Sequence, residues 1–322
     1  MTAAILLVGG RGTRLSPITD EIPKPMLPIA GLPVTEHQIL AAKRAGVKTL
    51  VLATSYLAEV FTPYFGDGSK WGINLRYAVE KEPLGTGGAI AHAAQSLDSE
   101  KSEDLVLIFN GDVISDHDIS AQILSHQKNR ADVTLHLIQV EDARAFGCVP
   151  TTDDGRVIEF LEKMERPVTN WINAGCYVFN RGVVDSIPLG VVTSVERETF
   201  PGLIQAKQRI FGYKENAYWL DIGTPDALFK ASRDRINGDY VASPTALIDV
   251  AAALTGGTSV GANSTIQAGV ILENCIVSEG AVVAEGAHLS RCFVAPGAIV
   301  EPHLALTDQY VARDKRVPIN FV

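Results

Sequence analysis

Hydrophobic residues in the first 237 positions occur in short runs, separated by polar and helix-favouring segments. Five runs rich in aliphatic and β-branched residues predict strands: AAILLV (3–8), VKTLVLAT (47–54), INLRYAV (73–79), EDLVLIF (103–109) and ADVTLHLI (131–138). Helical patterns lie between them, near residues 36–45, 86–95 and 117–129. This alternation predicts an α/β fold, with a mostly parallel, Rossmann-like sheet that has helices on both faces.

The pattern changes after a hinge-like segment, NGDYVASPT (237–245). From about Gly256 aliphatic residues recur every six positions among small residues, in three runs: Val260, Ile266 and Leu272; Ile271, Val277, Val283 and Leu289; Val294, Val300 and Leu306. A six-residue period predicts a parallel β-helix, here short and imperfect with roughly three coils, and a β-sandwich is the alternative. We therefore expect one domain over residues 1–240 and a second over 241–322.

Composition limits the class of protein. The chain has 322 residues, of which 46% are hydrophobic and 20% charged, enough for two domains with separate cores. Its apolar runs are shorter than the roughly 20 residues of a membrane span, and its start lacks the features of a signal peptide. We expect no membrane partner and a cytoplasmic location.

Charge and cysteine content exclude further classes. A formal net charge of −9 argues against a nucleic-acid partner, so any anionic ligand needs local positive charge. The four cysteines, Cys148, Cys176, Cys275 and Cys292, are widely spaced, with no CxxC pair. We expect them to be reduced and mostly buried, without a metal or redox role.

A glycine-rich turn, VGGRGTRL (8–15), directly follows the first predicted strand. Such a turn exposes several backbone N–H groups in one concavity, which suits phosphate oxygens. The glycines match neither the dinucleotide pattern G-x-G-x-x-G nor the P-loop pattern. An ordinary tight turn is the alternative.

Several other motifs follow predicted strands. In PKPMLP (23–28) Lys24 stands between two prolines, which we expect to hold the segment extended and to present the lysine; a solvated surface lysine is the alternative. The other candidates are EPLGTGGA (82–89), NGD (110–112), FLEK (160–163), NAG (173–175) and WLDIGTP (219–225), each interpreted as a strand end. Ligands of open α/β sheets bind at the carboxyl ends of the strands, so one rim of the sheet is the expected site.

In these motifs and their order, nearly the whole chain resembles the nucleoside-diphosphate-sugar pyrophosphorylases, or sugar-1-phosphate nucleotidyltransferases. GGRGTRL and PKPM match that family's N-terminal signature, and a C-terminal left-handed β-helix is common in it. Within the family, five segments are most similar to the bacterial mannose-1-phosphate guanylyltransferases: EKEPLGTGGAI, RAFGCVPT, INAGCYVF, SVERETFP and YWLDIGTP. The resemblance implies GTP and mannose-1-phosphate as substrates and Mg²⁺ as cofactor.

The resemblance also implies roles for individual residues. Arg14 and Lys24 would be catalytic and face the triphosphate. The nucleotide would also contact Leu7, Gly9, Gly10, Gly12, Thr13, Glu80 and Gly85. Gly147, Glu162, Lys163 and Asn173 would bind the sugar phosphate, and Asp112 and Asp221 would bind the metal. For each aspartate a turn-forming role is the alternative, and the charges at Glu196–Glu198 are either a solvated helix start or part of the family match.

The implied reaction needs no general base, which agrees with the residues found in the sequence. A sugar-1-phosphate oxygen would attack the α-phosphorus of a nucleoside triphosphate and expel pyrophosphate. Because the second pKa of a phosphate monoester is about 6, this nucleophile is already largely ionised at neutral pH. No general base is needed, and the sequence contains no convincing Ser/His/Asp or Cys/His set. Positioning and charge neutralisation are what the protein must supply.

Glu80 bears on the choice of base. It stands where members of the family that bind pyrimidines tend to have glutamine. A carboxylate only accepts hydrogen bonds, and guanine offers adjacent N1–H and N2–H₂ donors, so Glu80 favours guanine. A salt bridge with Lys81 or another basic neighbour is the alternative. Gly85 is expected to let the base approach the backbone closely.

Three other functions stay open at this point. The same reaction with another nucleotide or sugar is one, namely glucose-1-phosphate thymidylyl-, uridylyl- or adenylyltransferase activity, or transfer from GTP to another hexose- or heptose-1-phosphate. A non-catalytic regulatory paralogue is the second. The third is acyl transfer on the β-helix, where His288 and His303 lie in no recognisable acyltransferase setting. We expect the β-helix to form contacts in a homo-oligomer instead.

Overall fold

The computed structural model describes residues 2–10, 12–55, 58–97 and 104–321. The chain forms two compact units. The first comprises Met1–Gly10 and His37–Trp219, and the second comprises Arg11–Glu36 and Leu220–Val322. The division of the chain at residue 240 stays a prediction.

The first 235 residues contain thirteen strands and seven α-helices in the described part. In chain order these are β1 (Thr2–Leu7), β2 (Pro28–Ile29), β3 (Leu32–Pro33), α1 (Val34–Arg44), β4 (Thr49–Thr54), α2 (Phe61–Phe65), β5 (Asn74–Val79), α3 (Gly85–Ala94), β6 (Leu105–Asn110), β7 (Val113–Ser115), α4 (Ile119–Lys128), β8 (Val133–Gln139), β9 (Gly147–Cys148), β10 (Leu161–Glu162), β11 (Trp171–Asn180), α5 (Arg181–Asp185), α6 (Phe200–Gln205), β12 (Ile210–Lys214), β13 (Trp219–Asp221) and α7 (Pro225–Arg235). The five predicted strands are present as β1, β4, β5, β6 and β8, and the three predicted helices as α1, α3 and α4.

The sheet of the first unit has nine strands. Its main path runs β10-β9-β11-β6-β1-β4-β5, and β8 pairs with both β11 and β12. The strands β6, β1, β4 and β5 are parallel, as the alternation with helices predicts. In contrast, β11 runs antiparallel to β6 and β8. The sheet therefore has a parallel half around β1 and a mixed half around β11.

Helices cover both faces of this sheet. Ala3 and Ile5 of β1 lie in one buried cluster with Ile90 of α3. On the opposite face α4 packs against β8, where His126 Nδ1 and Thr134 Oγ1 are 2.9 Å apart. The α/β fold with helices on both faces is confirmed.

Residues 240–318 form the left-handed parallel β-helix. Its strands are β14 (Tyr240–Ala242), β15 (Leu247–Ile248), β16 (Ala253–Thr255), β17 (Thr258–Val260), β18 (Thr265–Ile266), β19 (Ile271–Glu273), β20 (Ile276–Val277), β21 (Val282–Val283), β22 (His288–Ser290), β23 (Phe293–Val294), β24 (Ile299–Val300), β25 (Ala305–Thr307), β26 (Gln309–Val311) and β27 (Arg316–Pro318). They stack into three sheets: β14-β17-β20-β23-β26-β27, β15-β18-β21-β24 and β16-β19-β22-β25.

The coils correct two sequence predictions. Three strands make one coil, so β14–β25 form four complete coils rather than roughly three. Leu254 pairs with Leu272 and Leu272 pairs with Leu289, which gives coils of 18 and then 17 residues. The shorter coil explains the shift in the six-residue pattern. The prediction that Ile271 belongs to the same run as Val277 is wrong. Ile271 is 43% exposed, whereas Leu272 is buried and takes the inward position.

Residues in the left-handed region form the corners between strands. Three columns have φ between +49° and +68°: Gly256, Asn274, Arg291 and Asp308; Asn263, Gly280 and Gly297; Gly269, Gly286 and His303. Glycine and asparagine tolerate this conformation best, which accounts for the composition of the region.

The C-terminal end of the chain closes the coil stack. β27 pairs antiparallel with β26. Beyond it the ring of Phe321 packs against Phe229 of α7, with ring centroids 5.2 Å apart, and lies 4.7 Å from the Arg291 guanidinium. Lys315 Nζ is 3.2 Å from Asp20 Oδ2. The tail therefore joins the coils to α7 and to the segment that follows the glycine-rich turn.

Candidate active site

The glycine-rich turn begins at the end of β1, in the first unit. Ser55 Oγ donates a hydrogen bond to Gly9 O at 2.7 Å, which fixes the turn beside the end of β4. Gly10 is exposed, and apart from its chain neighbours no atom of the described residues lies within 4 Å of the position that a Cβ would take there. This side of the Gly10 backbone is therefore open with respect to the described, non-neighbouring residues.

The NGD turn after β6 lies next to β1. Gly111 N donates to Leu7 O at 2.9 Å, and a Cβ on Gly111 would stand 2.2 Å from that oxygen. Gln38 Nε2 donates to Asn110 O at 2.6 Å and holds the turn from the side of α1. Asp112 follows directly and is half-buried. The structure thus brings Leu7, the first glycines and Asp112 to one edge of the sheet.

Lys24 lies in the second unit and is buried, with 6% exposure. Its ammonium nitrogen is 3.6 Å from Asp221 Oδ1. Gly12 has φ +64°, and a Cβ there would stand 2.9 Å from Lys24 Cβ, so the turn requires glycine at that point. The predicted extended conformation is wrong at Lys24–Met26, which forms a 3₁₀ turn because Pro25 also fits the first turn of a helix. The alternative of a solvated surface lysine is excluded.

Arg14 also lies in the second unit. It belongs to a 3₁₀ turn, Thr13–Leu15, in which Thr13 and Arg14 are exposed and Leu15 is buried. The Arg14 guanidinium lies against Gly223 of the WLDIGTP motif, where a Cβ would come within 2.8 Å of a terminal nitrogen. Arg14, Lys24 and Asp221 are therefore held near one another within the second unit. Arg14 and Lys24 are the local positive charges that an anionic ligand needs.

The two predicted metal ligands fit magnesium by their chemistry. Asp112 is half-buried and the Asp221 side chain is 26% exposed, so neither carboxylate is closed off from a ligand. In the described part of the chain, no three His, Cys, Asp or Glu side chains are grouped as a metal cage. Mg²⁺ is commonly held by one or two carboxylates with substrate phosphates, so these aspartates match that mode of binding.

Glu80 lies at the end of β5 in the first unit. Its backbone N–H donates to Thr54 O at 2.9 Å. Burial raises the pKa of Glu80, against the smaller effects of the Leu84 N–H and of His92. Among the described residues its Oε1 is buried and has no hydrogen-bond partner. The hydrogen-bonding capacity of one carboxylate oxygen is therefore unused within the described part of the chain.

Gly85 begins α3 and has φ +71°. A Cβ there would stand 2.6 Å from the carbonyl oxygen of Thr193. Packing against Thr193 thus already requires glycine, whatever base is bound nearby.

Glu162 and Gly147 are paired across β10 and β9. A Cβ on Gly147 would stand 2.8 Å from Glu162 Oε2, so this glycine leaves room for the carboxylate. Burial raises the pKa of Glu162, and the charge of Glu196 raises it further, while Lys163 and Arg197 lower it. The Lys163 side chain is 63% exposed, and its Nζ lies 3.9 Å from Glu162 Oε1. The structure brings Gly147, Glu162 and Lys163 together.

Asn173 lies inside β11, so the interpretation of NAG as a strand end is wrong. The register of β11 against β8 shifts between Asn173 and Tyr177, where a bulge interrupts the pairing. Asn173 Oδ1 accepts from Gly175 N at 3.1 Å, and its Nδ2 donates to the Tyr177 hydroxyl at 2.8 Å. The bulge is what turns the Asn173 side chain out of the regular strand pattern.

Comparison with known proteins adds to this geometry. The family model described as "Nucleotidyl transferase" matches residues 3–238 of the chain. The chain belongs to the nucleotidyl transferase family.

Relatives of this nucleotidyl transferase extend over most of its length. It is 45% identical over 290 residues to a Mycobacterium tuberculosis mannose-1-phosphate guanylyltransferase, which covers 86% of this chain and 80% of that protein. It is 34% identical to mannose-1-phosphate guanylyltransferase 1 of Arabidopsis thaliana, over 96% of this chain and 85% of that one.

Solved structures give the same fold. The crystal structure of HddC from Yersinia pseudotuberculosis complexed with GMP-PN is 28% identical, with a TM-score of 0.62, and covers 73% of this chain and 99% of that one. A Bacillus anthracis structure, described as a putative glucose-1-phosphate thymidylyltransferase, matches with a TM-score of 0.65 at 21% identity and supports the fold alone.

The motifs did not single out several side chains that the nucleotidyl transferase places in its site. Ser55 holds Gly9, and Tyr177 is fully buried beside Asn173. Thr86 Oγ1 donates to Glu196 Oε2 at 2.7 Å. Glu196 is therefore not part of a merely solvated helix start. Thr86 and Tyr177 lie inside motifs of the family match, which was the only signal for them in the sequence.

Proposed function

We propose that this nucleotidyl transferase transfers the guanylyl group of GTP to mannose-1-phosphate, giving GDP-mannose and pyrophosphate. The observation that carries the proposal is the complete set of Arg14, Lys24, Asp112, Lys163 and Asp221 in a chain 45% identical to a mannose-1-phosphate guanylyltransferase. The same set makes a non-catalytic regulatory paralogue the weaker reading.

In the proposed reaction, an oxygen of mannose-1-phosphate attacks the α-phosphorus of GTP, and the bond to pyrophosphate breaks. Arg14 and Lys24 offset the negative charge on the phosphates, while the backbone at Gly9, Gly10 and Gly12 positions them. The nucleophile needs no proton acceptor because it is already ionised.

Nucleotidyl transferases of this family generally use a divalent metal ion. We propose Mg²⁺, with Asp112 and Asp221 as its ligands. Bound there, the ion neutralises phosphate charge. Lys24 Nζ lies 3.6 Å from Asp221 Oδ1 and offsets part of the negative charge of that carboxylate.

Guanine recognition is assigned to Glu80. Its buried Oε1 has no hydrogen-bond partner among the described residues. Guanine presents two adjacent N–H donors, and a carboxylate can accept from both. A pyrimidine base presents fewer donors on that edge. Glu162 and Asn173 are assigned to the sugar hydroxyls, Lys163 to the sugar phosphate, and Gly147 to a hydroxyl through its backbone.

A matrix of substrates tests the assignment. GTP, dTTP, UTP and ATP are each combined with mannose-1-phosphate, glucose-1-phosphate and a heptose-1-phosphate, and pyrophosphate release is measured. We expect the highest kcat/KM for GTP with mannose-1-phosphate. A preference for dTTP or UTP would contradict the role of Glu80, and release with no pair would support the regulatory paralogue.

We also propose a homo-oligomer that forms through the β-helix, and a cytoplasmic location. Leu247 and Ile299 occupy the same outward ladder of the sheet β15-β18-β21-β24 and are 68% and 65% exposed. No helix in the described ranges is long and apolar enough to cross a membrane. The four cysteines are free and buried.

Light scattering on the full chain tests the oligomer. Leu247→Asp combined with Ile299→Asp should lower the mass, whereas Val168→Asp, at an equally exposed apolar residue of the first unit, should not. A monomeric wild type would rule out the oligomer.

A further inference from the structure

One hydroxyl joins two segments of the first unit that lie far apart in the sequence. Thr86 Oγ1 donates to Glu196 Oε2 at 2.7 Å and accepts from Val195 N at 2.9 Å. Ser194 Oγ donates to the same Glu196 oxygen at 3.0 Å. The Thr86 hydroxyl thus acts as both donor and acceptor, and the Glu196 carboxylate is held from two sides.

Thr86 belongs to the segment assigned to the base. It follows Gly85 in the first turn of α3, where backbone N–H groups have no partner within the helix. Thr193 O accepts from Gly87 N at 2.8 Å, and Thr193 N donates to Leu84 O at 2.9 Å. Residues 193–196 are therefore attached to the start of α3 by both backbone and side-chain hydrogen bonds.

Phe200 lies one helical turn after Glu196 and packs against Phe160 and Tyr177, with ring centroids 5.1 and 5.2 Å apart. Glu196 is therefore held close to the residues assigned to the sugar. Burial is the main cause of the raised pKa of Glu162 and of Tyr177, and the negative charge of Glu196 raises both further. Two neighbouring carboxylates repel each other, and hydrogen-bond donors placed near both reduce that repulsion. A ligand with several hydroxyl groups supplies such donors, and a sugar is one.

We infer that Thr86 is a positioning residue, and that its hydrogen bond directs the Glu196 carboxylate towards the sugar hydroxyls. The inference rests on the proposed function and adds a specificity residue, Glu196, to it. Because Thr86 stands next to Gly85, the fit of the sugar also depends on the segment assigned to the base.

A purely structural role predicts a different result. If the link only secured residues 194–199 to α3, its loss would lower the free energy of unfolding. The KM values for the sugar phosphate and for the nucleotide would then keep the same ratio to each other. Glu198 provides the matched control, because its Oε1 accepts from Ser194 N at 2.9 Å and secures the same turn without a contact to Thr86.

The experiment compares Thr86→Val, Thr86→Ser, Glu196→Gln and Glu198→Gln in the full chain, with the best substrate pair of the matrix. Thr86→Val removes the hydroxyl and keeps the shape. We expect it to raise the KM for the sugar phosphate about tenfold, the effect of losing one hydrogen bond to a charged group, with the nucleotide KM within about twofold of wild type. Thr86→Ser should restore the wild-type value, and Glu198→Gln should lower Tm without changing either KM.

A double variant checks that the two residues act together. With Glu196→Gln already present, Thr86→Val should change the sugar-phosphate KM by less than about twofold. Additive effects, equal changes in both KM values, or a sugar effect from Glu198→Gln would overturn the inference.

The proposed function can fail separately. If the wild type releases pyrophosphate with no pair, calorimetric titration with GDP-mannose replaces KM. A weaker affinity in Thr86→Val alone would still support the link, whereas equal affinities, or no binding by any form of the protein, would overturn it.

Discussion

The sheet around β1 and the coils of the β-helix are both built from parallel strands, yet they differ in what connects the strands. In the sheet, long connections that contain a helix join the parallel strands, and Gly9, Asp112 and Gly85 lie in these connections. In the coils, corners of one to four residues join the strands, and left-handed residues such as Gly280 and Gly297 lie in them. Long connections leave room for polar side chains to converge, and these short corners do not. We therefore expect chemistry and stability to respond to different substitutions.

The largest effect should come from the predicted metal ligands. We expect Asp112→Ala and Asp221→Asn to lower kcat about a thousandfold or more, because charge on the phosphates is no longer offset. Asparagine is chosen at 221 because alanine would leave the buried Lys24 ammonium without its neighbour. Steady-state rates and circular dichroism give activity and folding.

Asp249→Ala is the matched control in the coils, where the carboxylate accepts only a hydrogen bond from Ala251 N. It should leave kcat unchanged. Near-normal Mg²⁺-dependent turnover in Asp112→Ala or Asp221→Asn would refute their metal role.

The next effect concerns the choice of nucleotide. Glu80→Gln should lower kcat/KM for GTP by about 10- to 100-fold and affect UTP far less, because a carboxylate oxygen that accepts from guanine is lost. Glu82→Gln, at a neighbouring exposed residue, should change neither.

A pH series sharpens the same point. Burial raises the pKa of Glu80, so its carboxylate takes up a proton at a higher pH than an exposed glutamate does. We expect the preference for GTP over UTP to decrease as pH falls through that raised pKa. The decrease should be absent in Glu80→Gln, and its persistence there would assign it to another group.

In the coils the expected effects are on stability alone. Gly269 and Gly286 have φ values of +68° and +67°, so alanine at either should cost about 1–2 kcal/mol. Gly286→Ala should cost more, because its Cβ would meet the His303 ring, whereas the nearest atom to a Cβ on Gly269 is Gly286 Cα at 3.8 Å. Urea unfolding measures both, and kcat should not change.

A double-mutant cycle isolates the clash. Added to a His303→Ala background, Gly286→Ala should cost no more than Gly269→Ala does. An unchanged excess would mean that the His303 ring is not its cause.

The smallest effect is expected where the tail meets the segment after the glycine-rich turn. Lys315 and Asp20 are 3.2 Å apart, but their side chains are 37% and 41% exposed, so solvent screens the pair. We expect a coupling free energy of about 0.2–1 kcal/mol between Lys315→Ala and Asp20→Ala, decreasing with added salt. Coupling that does not respond to salt would indicate packing instead of charge.

Much of the sheet could be predicted because β1, β4, β5, β6 and β8 are short runs rich in aliphatic and β-branched residues, with helical patterns between them. The antiparallel β11 could not, because Asn173 and Gly175 interrupt its run and resemble a turn. Only the pairing partners distinguish a bulge inside a strand from the end of a strand.

The coil count failed for a related reason. In the first coil, β14–β16, alanine stands at the first inward position, Ala242, and the step from Leu272 to Val277 is five residues rather than six. A search for a strict six-residue period detects neither the first coil nor the five-residue step.

Family motifs located the candidate site residues, but local patterns did not predict their environments. Two prolines around Lys24 suggested an extended segment, whereas the lysine is buried in a 3₁₀ turn. Burial depends on Gly12 and other residues that pack against it from elsewhere in the sequence. The Thr86–Glu196 contact joins positions 110 residues apart and follows from no local pattern.

The C-terminal tail has a consequence for the length of the β-helix. It leaves the last coil, passes Arg291 and ends with Phe321 against Phe229, which lies before the first coil. One more coil would lengthen the stack by about 4.8 Å, the distance between neighbouring strands, and the tail would fall short of Phe229. The length of the tail therefore limits the number of coils. A variant with a duplicated coil can keep the Phe321–Phe229 contact only if the tail is lengthened as well.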